Sequence, residues 1–293
     1  MRNLNLSIQP VKLLLPLILL STIGCQAEER QPEIFLPEQY KAQEAKVEEM
    51  RQRLLRENPD RFEARTLDHG GRTIRYRWFT PEKTGKPLPL VIVLHGSSGK
   101  GSDNRSQLLA GTGALGAGVW ATPERQKDHP CHVMVPQCPP GQMWTLTASW
   151  TSPVHPLSPQ PAPALADLMA LLDERLKNPD IDPNRVYLVG ASMGGYGTFD
   201  WLVRQPERFA AGIPICGGMP EGQAAKLKDV PLWIFHGEND NIVPVEESRR
   251  AFSQISAAGG PVRYSEFKDG GHQISVHAWT DPKVATWLFS QRR

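Results

Sequence analysis

Short apolar runs, each closed by turn residues, recur along the chain from residue 89 onward. The clearest run spans residues 89–94 and ends at His95-Gly96. An unbroken apolar run of this length is typical of a strand buried on both faces of a parallel sheet. Similar runs lie at residues 132–135, 185–189, 211–215 and 231–235. Residues 73–79 alternate in character before Pro81 and predict a half-buried strand.

Segments with helical spacing of apolar residues separate these runs, at residues 164–177, 195–204 and 245–258. Alternation of strand and helix predicts an α/β fold with a mostly parallel, doubly wound sheet and helices on both faces. Ligands of such sheets bind at the carboxyl ends of the strands, so chemistry is expected in the loops that follow each run.

The N-terminus has the pattern of an export signal. Arg2 and Lys12 precede an apolar run at residues 13–20, which is too short for a comfortable membrane span. Residues 22–25 resemble a bacterial lipobox, so Cys25 is a possible lipid anchor, and cleavage by ordinary signal peptidase is the alternative. Either route predicts an exported protein, either a periplasmic or outer-membrane-anchored lipoprotein or a secreted one.

Three regions are therefore expected. Residues 1–25 form a signal peptide, residues 26–65 form a charged tether and a helix, and residues 66–293 form the catalytic domain. The helix is predicted by Val47, Met50 and Leu54, which share one face. The chain carries 33 basic and 31 acidic residues, and a net charge of +2 gives no argument for nucleic-acid binding.

The segment 190–194 matches the motif G-x-S-x-G, with Ser192 at its centre. It lies between a predicted strand and a predicted helix, where a sharp turn presents a serine oxygen above the sheet. A bystander serine in a glycine turn is the alternative, because the bare motif is short.

A serine nucleophile needs a histidine base and a carboxylate that orients it, in the chain order serine, acid, histidine. Asp240 follows the apolar run 231–235, and His272 follows the next predicted strand. Glu238 competes with Asp240 for the acid role, and His277 is the nearby alternative to His272. We favour Asp240, because residues 242–244 lead its loop back into the following helix.

Two backbone N–H groups are expected to stabilise an oxyanion. One belongs to Met193, directly after the nucleophile, and the second to Ser97, with Gly96 as the alternative. The irregular segment 142–163 predicts a pocket wall whose Trp144 and Trp150 bind substrate. The alternative is that both tryptophans anchor this loop to the domain.

Cysteine and histidine spacing gives no metal-site pattern, and no phosphate-binding glycine loop is present, so no cofactor is expected. Cys131 and Cys138 are close enough in sequence for a disulfide hypothesis in an oxidising compartment, with two free thiols as the alternative. Cys216 is interpreted as a small buried hydrophobe.

These segments together resemble the secreted predicted-peptidase and esterase branch of the α/β-hydrolase superfamily, which is related to the phospholipase/carboxylesterase and dienelactone hydrolase families. The likeness covers residues 72–293 and rests on segments 93–96, 135–139, 190–198, 214–218, 236–240, 243–244, 271–272 and 287–288. It implies Ser192, Asp240 and His272 as a catalytic triad and activity on short or aryl esters. Residues 97–99 depart from the Gly-x-Gly-like loop of the family.

The sequence thus favours a serine hydrolase that cleaves carboxylic esters of small molecules through an acyl-enzyme. A serine peptidase of the prolyl-oligopeptidase type is the enzymatic alternative, although no propeller or gating domain precedes the fold here. A non-catalytic, membrane-tethered binding module is the alternative from another class. The pattern leaves the oligomeric state open.

Overall fold

The apolar runs form strands of one sheet in this computed structural model, which describes residues 30–82, 84–111, 113–147, 149–152 and 155–293. In these residues the strands are β1 (Glu33–Phe35), β2 (Glu63–His69), β3 (Arg72–Phe79), β4 (Leu88–Leu94), β5 (His132–Pro136), β6 (Ile181–Ala191), β7 (Ala211–Ile215), β8 (Leu232–Gly237) and β9 (Val262–Phe267). Their order across the sheet is β1-β9-β8-β7-β6-β4-β5-β3-β2. Only the β5–β3 and β3–β2 pairs of this sheet are antiparallel, so the predicted mostly parallel sheet is confirmed.

Helices cover both faces of the sheet. The described helices are α1 (Pro37–Lys41), α2 (Glu44–Arg61), α3 (Ser106–Leu109), α4 (Gly113–Gly118), α5 (Pro123–Asp128), α6 (Pro163–Arg175), α7 (Met193–Arg204), α8 (Glu246–Ala257), α9 (Ser275–Thr280) and α10 (Pro282–Ser290). Leu90 and Ile92 of β4 pack in one core with α6, α7 and α8, whereas Val91 and Val93 pack in a second core with α2, α4, α9 and α10. Successive side chains of a strand point to opposite faces, so an unbroken apolar run fills both cores.

The N-terminal segment belongs to the same sheet. The helix predicted from Val47 and Leu54 is α2, and both side chains are buried. The same region also supplies β1 and β2, which the apolar pattern does not predict. β1 has three residues, which are too few to show a period, and β2 is an edge strand with mostly exposed side chains. Residues 31–293 form one compact unit.

The predicted signal peptide and Cys25 lie outside the described residues. Among the helices that are described, none has both the length and the apolar composition needed to cross a membrane.

The hypothesised disulfide between Cys131 and Cys138 is wrong. Both thiols are free and buried, at opposite ends of β5. A strand advances about 3.3 Å per residue, so seven residues separate these positions by roughly 20 Å. A disulfide needs Cα atoms within about 7 Å of each other.

His95 fixes the loop that follows β4. Its Nε2 accepts a hydrogen bond from the Cys138 backbone N–H at 3.0 Å, so the proton lies on Nδ1, which donates to the Gly96 carbonyl at 2.6 Å. The imidazole also meets the Trp144 ring at a centroid distance of 5.2 Å. Burial lowers the pKa of His95 to about 4, and the hydrogen bond to Gly96 only partly opposes this effect. The loop therefore depends on a neutral, buried histidine.

This neutral state predicts an acid-sensitive fold. In the unfolded chain a histidine takes up a proton near pH 6.5, whereas folded His95 does so only near pH 4. The contribution of neutral His95 to stability is therefore complete above pH 6.5 and is lost as the pH falls toward 4. The loss amounts to about 3 kcal/mol in the free energy of unfolding. Urea unfolding from pH 8 to pH 4 should show a shallower pH dependence for His95→Gln than for the wild type.

His69→Gln serves as the control, because His69 is exposed at the end of an edge strand. It should keep the wild-type dependence on pH. Equal slopes for His95→Gln and the wild type would show that His95 is not held neutral.

Candidate active site

Ser192 occupies a sharp turn between β6 and α7. Its backbone has φ 58° and ψ −122°, a left-handed conformation that non-glycine residues rarely adopt. Neighbouring glycines permit this turn. A Cβ on Gly194 would overlap the Leu94 carbonyl oxygen, and one on Gly190 would overlap the Gly194 carbonyl. The turn therefore requires glycine on both sides and presents the serine hydroxyl at the carboxyl edge of the sheet.

The structure brings Ser192, His272 and Asp240 into one hydrogen-bonded chain. His272 Nδ1 lies 2.7 Å from Asp240 Oδ2, and His272 Nε2 lies 2.9 Å from Ser192 Oγ. A carboxylate only accepts hydrogen bonds, so Nδ1 carries the proton and Nε2 is left to accept from the serine hydroxyl. This is the arrangement in which an imidazole acts as a general base toward a serine.

Asp240 is held ionised in a buried position. Its Oδ1 accepts hydrogen bonds from the N–H groups of Ile242 and Val243, each at 2.9 Å. Burial alone would raise the pKa of Asp240, but hydrogen bonds from His236, His272 and Val243 outweigh burial and hold the pKa well below its ordinary value. The group that orients His272 is therefore a carboxylate throughout the physiological range.

Glu238 and His277, the two alternatives, lie away from this chain of bonds. Glu238 binds the Lys268 ammonium at 2.5 Å and the Asp269 N–H at 3.1 Å. His277 packs its ring 5.0 Å from Tyr40 and 5.9 Å from Phe267, measured between ring centroids. Both residues thus take part in local packing and pairing.

His236 is a contact of Asp240 that the sequence analysis missed. Its Nε2 lies 3.2 Å from Asp240 Oδ2 and 3.0 Å from the Val243 carbonyl, and its Nδ1 lies 2.7 Å from Ser248 Oγ. Both partners of Nε2 are acceptors, so Nε2 carries the proton and donates to them. The sequence gives one indication of this contact: His236 comes four residues before Asp240, near the end of the buried strand β8 that leads into the Asp240 loop.

Two backbone N–H groups lie at the start of helical turns beside Ser192. Met193 is the first residue of α7, and Ser97 is the first residue of a 3₁₀ turn at Ser97–Gly99. The first N–H groups of a helix have no partner within it. A Cβ placed on Gly96 would lie 3.6 Å from Ser192 Cβ, which brings the Ser97 loop against the nucleophile. Both predicted oxyanion donors are thus next to Ser192.

The two tryptophans of the 142–163 loop have different environments. Trp144 is fully buried, and its Nε1 donates to the His95 carbonyl at 3.0 Å. Trp144 therefore anchors the loop, as in the alternative interpretation, instead of contacting a substrate. Trp150 is half-buried and packs edge-on against Tyr196, with ring centroids 4.8 Å apart. Its remaining surface stays a predicted substrate contact.

Within the described part of the chain, one cluster has the composition of a metal site. The ligand atoms of Cys216, His236 and Asp240 lie within 4.8 Å of one another. Two of the three are already engaged: the carboxylate accepts from His272 and His236, and His236 bonds Ser248 through its other nitrogen. Burial raises the pKa of the Cys216 thiol well above its ordinary value, so the thiolate that binds metals is disfavoured. These three residues are therefore better suited to supporting His272 than to binding a metal ion.

Comparison with known proteins agrees with the fold described above. The crystal structure of a thermostable esterase superposes with a TM-score of 0.72 and 38% sequence identity, covering 80% of this chain and 64% of that chain. Poly(3-hydroxyalkanoate) depolymerase C of Paucimonas lemoignei is 29% identical over 198 residues, which is 67% of this chain and 41% of the relative. The uncharacterized peptidase YuxL of Bacillus subtilis (strain 168) is 26% identical over 145 residues, 37% of this chain and 22% of the relative.

This chain thus spans less than two thirds of each of these proteins. The model of the phospholipase/carboxylesterase family matches residues 79–283, which is more than half of the 293 residues. The matched range includes Ser192, Asp240 and His272 in the order that the fold requires. The chain belongs to the phospholipase/carboxylesterase family of α/β-hydrolases.

Proposed function

We propose that this protein hydrolyses carboxylic esters of small molecules through an acyl-enzyme on Ser192. The hydrogen-bonded chain from Ser192 through His272 to Asp240 carries this proposal, because it activates a hydroxyl that is otherwise a poor nucleophile. Membership of the phospholipase/carboxylesterase family and the likeness to a thermostable esterase support it.

In the proposed reaction, Ser192 Oγ attacks the ester carbonyl carbon while His272 Nε2 takes the hydroxyl proton. The oxyanion of the tetrahedral intermediate accepts hydrogen bonds from the N–H groups of Met193 and Ser97. The ester C–O bond then breaks, and the imidazolium returns its proton to the departing alcohol. Water, deprotonated by the same imidazole, next attacks the acyl-enzyme. The bond between the acyl carbon and Ser192 Oγ breaks, the imidazolium returns the proton to Oγ, and the acid is released.

Esters are favoured over peptides as substrates. A departing amine is a poorer leaving group than an alcohol, so amide cleavage demands more of the general acid than ester cleavage does. Turnover of a matched ester and anilide with the same acyl group separates the two activities. Faster cleavage of the anilide would favour the peptidase.

We also propose that the protein acts outside the cytoplasm. The basic residues and the apolar run before Cys25 support export, and the lipobox-like residues 22–25 support lipidation. Mass spectrometry of the mature N-terminus distinguishes a diacylated Cys25 from ordinary cleavage.

Replacement of Ser192 tests the proposed nucleophile. Ser192→Ala should lower kcat/KM on a p-nitrophenyl ester by about 10³-fold or more, because the covalent route is lost. A fluorophosphonate probe should label the wild type at Ser192 and leave this variant unlabelled. A non-catalytic binding module would leave Ser192 unlabelled in the wild type as well.

Ser253→Ala is the matched control, since Ser253 is an exposed serine on α8. It should keep both turnover and labelling. Wild-type turnover by Ser192→Ala would refute the proposed nucleophile.

Replacement of His236 tests its support of Asp240. The Nε2–H of His236 fixes the direction of the Asp240 carboxylate, and a misdirected carboxylate misplaces His272, so His236→Leu should lower kcat/KM on the order of tenfold.

His236→Gln keeps an N–H donor and should restore part of the activity. A purely structural role would lower the melting temperature of His236→Leu and leave its kcat/KM unchanged at temperatures well below the melting transition.

A further inference from the structure

A cleft of about 590 Å³ opens beside residues 269–277, the His272 loop. One wall is the segment 269–277, which carries His272 itself, and the other wall is formed by α1 and the start of α2. Gly111 also lines the cleft, and a Cβ placed on it would lie 2.5 Å from Ser98 Oγ. Ser98 adjoins Ser97, the proposed oxyanion donor. The cleft therefore borders both the base and the loop that would bind the oxyanion.

The position of His272 decides which part of an ester this cleft faces. The imidazole that takes the proton of Ser192 Oγ hands it to the departing alcohol, so the alcohol oxygen must come within hydrogen-bond distance of His272 Nε2. The acyl carbon is bonded to Ser192 at the same moment. His272 lines this cleft and Ser192 does not, so the cleft lies on the side of the base, where the departing alcohol oxygen would be.

The charges in the cleft wall indicate the chemistry of that leaving group. The cationic side chains are Lys41 and Arg51, and the anionic ones are Glu44, Glu48 and Asp269. These opposite charges nearly balance, so the lining offers little net attraction to a charged ligand. A long apolar alcohol would strip water from charged groups without replacing their hydrogen bonds. Hydroxyl groups both donate to carboxylates and accept from ammonium or guanidinium groups.

The N-terminal wall is firmly attached to the strand that leads into the His272 loop. β1 pairs in parallel with β9, with Phe35 opposite Phe267 and the two rings stacked at 5.0 Å. Tyr40 Oη donates to the Lys268 carbonyl at 2.7 Å, one residue past β9. A wall held in this way is already ordered before a ligand arrives, so binding costs less conformational entropy. This wall lies outside the 79–283 range that matches the family model.

We propose that the cleft between α1–α2 and the His272 loop binds the alcohol portion of the substrate, and that this portion is a neutral, polyhydroxylated group such as a sugar. The volume of about 590 Å³ is in the range of small-molecule sites and accommodates one or two sugar rings. The proposal rests on ester hydrolysis at Ser192. It assigns to the N-terminal segment a part in substrate selection.

Three acetate esters test it: 6-O-acetylglucose, p-nitrophenyl acetate and butyl acetate. All three give the same acetyl-enzyme, so differences in kcat/KM report only how the alcohol portion is bound during acylation. Wild-type enzyme should prefer 6-O-acetylglucose over butyl acetate. Glu44→Trp places a large ring in the cleft from an exposed helix position, and should lower kcat/KM on 6-O-acetylglucose about tenfold or more while p-nitrophenyl acetate changes less than about twofold.

Lys46→Trp is the matched control, because Lys46 is an exposed residue of the same helix that lines a different groove. It should leave all three substrates unchanged, and melting temperatures of both variants check the fold. Equal effects of Glu44→Trp on all three esters, or a wild-type preference for butyl acetate, would overturn the cleft assignment and leave ester hydrolysis standing. Absence of Ser192-dependent turnover on every ester would instead remove the proposed function, and this inference with it.

Discussion

The strained backbone of Ser192 is the constraint on which the site depends. A positive φ at a non-glycine residue costs free energy, and packing around the turn must supply it. Here α7 approaches so closely that Gly194 contacts the Leu94 carbonyl at the end of β4. The same contact brings the nucleophile next to the loop that follows β4. One close approach thus determines the position of the hydroxyl and of its neighbouring backbone N–H groups.

Sequence pattern predicted the central strands and the order of the three chemical groups, because each depends on a local rule. Buried strands are apolar throughout, and the turn at Ser192 needs glycines at fixed offsets. The preference for Asp240 over Glu238 came from the direction of the following loop, and the contacts of Asp240 agree with it.

Features that depend on contacts far apart in sequence were not predictable. β1 is too short to show a period and is defined only by its partner β9. The spacing of His236 and Asp240 is compatible with a contact, but only the folded loop that follows β8 brings the His236 ring to the carboxylate. The disulfide predicted from the short sequence separation of Cys131 and Cys138 is wrong, because an extended strand separates the two residues. The predicted contact of Trp144 with substrate is wrong as well, because an aromatic side chain in a loop can either anchor the loop or bind a ligand, and Trp144 anchors it.

The pairing of β1 with β9 has a consequence for the order of folding. Glu33 and Ser265 contact each other across 232 positions of sequence. Contacts of such long range form slowly, because a large loop must close before they give any stability. The first strand of the sheet therefore joins it only after the last strand has been synthesised. A ribosome-bound chain therefore keeps β1 unpaired until β9 has left the ribosome.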